Sequence, residues 1–154
     1  MITVDDFLLF CRRTVDGTRA AVDRLGDDLV NERPDLPGAN TPYQLVTHAL
    51  AAAEWWCSHV VLGRPSERVR DDEFDAAGTV ADLHATAERF LGLLHDLAPE
   101  LAAATATAHQ PVTQTPLGQE WTVGAALIHA YEELAQHLGH LEVTVDVLQA
   151  AAGR

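Results

Sequence analysis

Apolar residues return every three or four positions through four separate stretches of this 154-residue chain, and capping or breaking residues bound each stretch. The first predicted helix runs from about Val4 to Leu25, with Thr3 as N-cap, Asp6 as its partner three positions on, and Gly26 as the stop. The second runs from about Pro42 to Leu62. Asn40 or Thr41 caps it, Pro42 suits its first turn, and Gly63 and Pro65 close it. The third runs from about Val80 to Ala103, opened by Thr79 with Asp82, and Pro99 is expected to kink it or end it early. The fourth runs from about Val123 to Leu148 with Thr122 as cap. Strand signals are weak. Four amphipathic helices of about 20 residues or more predict an all-α four-helix bundle. It is expected to form a single domain over residues 1–154, with long connections between its helices.

Charge narrows the partners. The chain carries 23 acidic residues against 10 basic ones, a formal charge of −13, and contains no lysine. Phosphate-backbone binding draws its affinity from cations, so no nucleic acid partner is expected, and anionic membranes repel such a surface. The start, Met1-Ile-Thr-Val, lacks a basic leader, and no apolar run approaches the length of a membrane span. A cytoplasmic protein is expected. Cys11 and Cys57 form no CxxC pair and are expected to be free thiols, with Cys11 in the core.

Three residues carry the functional signal. His137 takes a place that the apolar stripe of the fourth helix would give to leucine or valine, and His48 does the same in the second. Glu133 precedes His137 by four positions, which stacks the two on one helix face. Buried imidazoles and carboxylates need partners. One divalent metal would satisfy all three and keep a coordination position open. The alternative is two core histidines hydrogen-bonded to backbone or to Glu133. His140, one turn after His137, is a fourth ligand, a donor to the surrounding shell or an exposed helix residue, and the last two are favoured. His129, one turn before Glu133, is a residue of that shell or a satisfied core histidine. His59, His84, His95 and His109 lack ligand spacing and are expected at the surface. Trp55, Trp56 and Trp121 are expected to pack in the core or line the pocket, and Asp5 and Asp6 to supply helix-start charge.

The motif order resembles the DinB-like superfamily of metal-binding four-helix bundles. Within it, the chain is similar to the branch of the N-terminal metal-binding domain of mycothiol-dependent maleylpyruvate isomerase. The matching stretches are Thr41-Pro-Tyr-Gln-Leu-Val-Thr-His48, Gly63-Arg-Pro65 with Arg70-Asp-Asp-Glu-Phe74, Trp121-Thr-Val-Gly124, and Glu132-Glu-Leu-Ala-Gln-His137-Leu-Gly-His-Leu-Glu142. They cover nearly the whole chain in the same order. Many superfamily members use three histidines; this branch has Glu in place of the first histidine of the last helix. The resemblance thus maps His48, Glu133 and His137 onto the metal triad. It also implies a homodimer. The isomerase carries a further C-terminal domain that contributes to its active site, and this sequence ends at Arg154, so another reaction than maleylpyruvate isomerisation is expected.

The resulting expectation is a metal-dependent S-transferase or isomerase using a low-molecular-weight thiol of the mycothiol type and a small-molecule electrophile. Zn²⁺ suits the ligand set first, with Ni²⁺, Mn²⁺ or Fe²⁺ also compatible. Its positive charge would favour the thiolate. Metal-assisted hydrolysis and a non-enzymatic metal-binding or stress-related bundle are the alternatives. The connections at 63–78 and 104–121 are expected to shape the pocket mouth. Arg64, Arg68 and Arg70 are either ligands for a carboxylate of thiol or substrate, or solvated surface charges.

Overall fold

The computed structural model describes residues 3–112, 114 and 118–153. Its long helices are α1 (Val4–Asp23), α3 (Pro42–Trp55), α4 (Val80–Thr105) and α5 (Val123–Ala151). A short α2 (Gly26–Leu29) follows α1, and a 3₁₀ turn, Arg70–Phe74, lies between α3 and α4. Among the described residues no strand forms beyond a single bridge between Pro111 and Thr122, and no helix is long and apolar enough to cross a membrane.

The helix starts follow local chemistry. Thr3 with Asp6, Thr41 with Gln44, and Thr79 with Asp82 each close a reciprocal capping box, and Thr122 accepts from the Ala125 amide. α4 runs through Pro99 to Thr105, so the expected kink or early stop is not a boundary. Leu97 and Leu101 are both fully buried on either side of it, and that packing outweighs one missing backbone hydrogen bond. The second predicted helix is continuous to Val61, but its last turn, Trp56–Val61, is π-helical. Gly63 then stops it at a φ of 68°, a left-handed conformation that suits glycine.

Side-chain pairs give the helix directions. Phe10 meets Tyr131 edge-on, Gly17 sits under Leu138, and Arg24 reaches Asp146, so α1 and α5 run parallel. Arg19 pairs with Glu88, while Asp23 binds His84, so α4 runs against α1. His48 meets His137 and Trp56 meets His129, so α3 runs against α5. Tyr43 lies against Gly78 before α4, and Arg64 past α3 pairs with Glu100, so α3 and α4 are parallel. α1 and α3 therefore each pack on α4 and α5 around one core, in which Val15, Val22, Leu45, Leu97, Leu101, Leu141 and Val145 are fully buried.

A parallel α3–α4 pair cannot be joined by a short turn. The connection at 62–79 must travel back along the bundle. This crossover is pinned at several points. Gln44 Nε2 donates to the Phe74 carbonyl at 2.5 Å, Asn31 brackets Gly78 through both its amide atoms, and the Val80 amide donates to Asp27. It thereby lays the Arg70–Phe74 turn across α3, beside His48.

Candidate metal centre

His48 lies on the buried stripe of α3, with Leu45, Ala49 and Ala52, and is itself only 7% exposed. Its Nδ1 donates to Glu73 Oε2 at 2.7 Å. The carboxylate accepts, so in the neutral ring Nε2 is the bare nitrogen. That nitrogen lies 3.8 Å from Glu133 Oε2, and His137 Nε2 lies 3.5 Å from the same oxygen. One ligand atom from each of His48, Glu133 and His137 falls within 4.8 Å of the others. Ligands about 2.0–2.2 Å from Zn²⁺ at tetrahedral angles stand roughly 3.3 Å apart, so modest side-chain adjustment would close the three on one cation.

The electrostatics point the same way. Burial holds His48 below the ordinary imidazole range, against the opposing pull of Glu73, which favours the neutral ring a metal requires. The hydrogen bond with His137 holds Glu133 below the usual carboxylate range, and burial only partly offsets it. His137 Nδ1 is buried and finds no hydrogen-bond partner among the described residues. The nitrogen that faces Glu133 is His137 Nε2, so a cation between the three side chains would take that atom and leave Nδ1 as it is.

A second layer holds the three in place. Arg68 forks onto Glu73, Nε to Oε1 at 2.6 Å and Nη2 to Oε2 at 3.0 Å. Glu133 turns its other oxygen to His129 Nε2 at 3.2 Å, and His129 Nδ1 in turn meets Glu132 Oε2 at 2.7 Å. Trp56 and Trp121 wall the His129 ring, with centroids 4.6 and 5.0 Å away. His129 thus belongs to the shell around Glu133. His140 is exposed, its ring 6.4 Å from that of His137.

Glu73 is the residue that sequence spacing does not reveal. It stands in the Arg70–Phe74 motif but has no periodic relation to His48, and only the crossover brings the two together. The three arginines separate. Arg64 pairs with Glu100 and Arg68 with Glu73, whereas Arg70 lies exposed over the Phe74 ring at 5.0 Å. His95 and His109 are at the surface as expected, but His59 and His84 are not fully so. His59 stacks on Trp55 and bonds the Arg64 carbonyl, and His84 is held between Arg19 and Asp23. The crossover and α3 enclose a cleft of about 500 Å³ lined by Glu54, Trp55, His59, Arg68, Asp72 and Glu73. It reaches the centre only through Glu73, since none of the three candidate ligands lines it.

Both cysteines are free and buried. Burial pushes the Cys11 thiol up to about 12 and the Cys57 thiol well above its ordinary range. Neither supplies a thiolate near neutral pH.

Residues 4–148 match the family described as mycothiol-S-transferase. The chain belongs to that family. Its fold is also similar to the crystal structure of mycothiol-dependent maleylpyruvate isomerase, with a TM-score of 0.66 and 19% identity over 92% of this chain and 63% of that one. A histidine-to-alanine variant of the same isomerase matches with the same TM-score at 18% identity, again over 92% of this chain and 63% of that one. This member of the mycothiol-S-transferase family therefore spans less than two thirds of the length of those structures, and at such identity the likeness concerns the DinB-like all-α fold. No curated protein matches its sequence.

Proposed function

We propose that this member of the mycothiol-S-transferase family is a metal-dependent enzyme that uses a low-molecular-weight thiol of the mycothiol type to attack a small-molecule electrophile. The observation that carries the reading is the convergence of His48, Glu133 and His137, from two facing helices, within 4.8 Å. In this reading the three hold one divalent metal, with Zn²⁺ as first choice for two imidazoles and a carboxylate. Such a cation supplies the positive charge that favours the ionised form of a thiol at neutral pH. The chain's own residues do the rest. Glu73 and His129 fix the orientation of His48 and Glu133, and Trp56 and Trp121 keep water from that side of the centre. The chain's own thiols are buried and protonated, which supports a nucleophile that arrives from solution.

Free cysteines suit the reducing cytoplasm, the location we propose. Exposed Leu9 and Phe10 on α1 support a homodimer, testable by sedimentation. The deciding experiment is metal content by mass spectrometry on protein purified without chelators, followed by turnover of model electrophiles with and without mycothiol. About one metal per chain and strict thiol dependence are expected. Metal with thiol-independent ester or amide cleavage would replace the reading with hydrolysis, and no metal after soaking in Zn²⁺ would overturn it.

A further inference from the structure

Glu73 is the one carboxylate among the described residues classed with the core, at 6% exposure. A buried ion pair is often no better for stability than well-packed apolar side chains of the same volume, so Arg68 and Glu73 call for a reason other than holding the crossover down. Their third contact supplies it. Glu73 Oε2 accepts from both Arg68 Nη2 and His48 Nδ1, so one carboxylate ties the crossover to the histidine that faces Glu133 and His137. An imidazole left to itself chooses between two tautomers and two ring orientations, and only one arrangement turns a bare Nε2 toward Glu133.

We infer that Glu73, clamped by Arg68, is a positioning residue of the metal centre, and that through it docking of the crossover on α3 is coupled to metal binding. The inference rests on the metal reading above. Coupling is reciprocal: if the docked crossover improves the metal site, a bound metal must stabilise the docked crossover by the same factor. The cleft on the far side is lined by the same Arg68 and Glu73, so a molecule that entered it would meet this ion pair before it met the centre.

The test compares the full chain with Glu73→Gln, Glu73→Asp and Glu73→Ala. Zn²⁺ affinity is read by chelator competition and ligand geometry by the visible spectrum with Co²⁺. Docking is read by hydrogen exchange of the amides at 70–75, with and without saturating Zn²⁺. Glu73→Gln should bind Zn²⁺ about 10- to 100-fold more weakly, with an altered Co²⁺ spectrum and helical circular dichroism unchanged. Glu73→Asp keeps the charge beside Arg68 but falls a methylene short of His48, and should weaken binding as well. Zn²⁺ should slow exchange at 70–75 in the wild-type chain and much less in Glu73→Gln. Wild-type affinity and spectrum in both variants would overturn the positioning role, as would exchange indifferent to Zn²⁺ in the wild-type chain. A wild-type chain that binds neither Zn²⁺ nor Co²⁺ would instead overturn the metal reading itself, and this inference with it.

Discussion

Glu73 and His48 stand 25 positions apart and share a 2.7 Å hydrogen bond inside the molecule. One comes from a connection, the other from a helix, and the bond points the histidine's free nitrogen at Glu133. A loop carboxylate thus sets the direction of a helix-borne donor, an arrangement common to histidines that ligate metals.

Removing a donor should remove the metal and little else. His137 is partly exposed and Leu134 and Leu141 carry the packing around it. His137→Ala should therefore keep its helical circular dichroism while metal content falls to background. Retained stoichiometric metal would exclude His137 as a ligand.

Acid should weaken the metal-free fold. His48 has a folded pKa below its unfolded value of 6.5, so the unfolded chain takes up a proton first and stability falls as pH drops through that interval. Glu133, also depressed, adds a loss in the same direction at lower pH, as pH falls from its unfolded 4.5 through the folded value. Thermal unfolding in the presence of a chelator should show a lower Tm at about pH 5 than at about pH 7. His48→Gln should flatten the upper part of that dependence, and an unchanged slope would show that His48 does not carry it.

The cysteines should be inert in the folded chain. Cys11 and Cys57 are both 0% exposed, and their thiols are held in the protonated form. Iodoacetamide should label neither at neutral pH until denaturant is added. Cys11→Ala and Cys57→Ala should also leave metal content intact. Rapid labelling of the native protein would contradict the packing described.

Two substitutions probe the scaffold. Leu101→Ala empties a fully buried site beside Pro99 and should destabilise by about 2–5 kcal/mol in denaturant titration. In Gly78→Ala a Cβ would meet the Tyr43 hydroxyl at 2.6 Å and ring carbons at 2.8 and 2.9 Å, so the partly buried ring packed against the core must shift. A loss of about 1–3 kcal/mol is expected. Stability equal to wild type would mean that the crossover end shifts freely.

Much of this was legible in the chain because the signals are local. Thr3, Thr79 and Thr122 mark helix starts through bonds made within three residues, and the stripes of α3, α4 and α5 are buried as their spacing demands. His48 and His137 stood out because each interrupts such a stripe. The course of the crossover was not legible, since the parallel direction of α3 and α4 follows from how four faces close on one core. Glu73 was hidden for that reason, and so was the half-burial of His84, whose partners Arg19 and Asp23 belong to α1, whereas His59 is half-buried by its near neighbours Trp55 and the Arg64 carbonyl. Pro99 misled because the propensity of one residue gave way to the packing on either side.

The π-helical turn at Trp56–Val61 has a consequence for phase. Each residue of an α-helix turns the chain by about 100°, and a π turn takes up an extra residue without advancing the face it presents. His48 lies before this turn and Val60 within it, and both face inward. Plain α-helical winding of these same residues would swing one half of the rod against the other by about 100°. Either the histidine would leave its two companions or the lower half would lose its seat in the core. The irregular turn is the gear that lets one continuous rod satisfy two separate appointments.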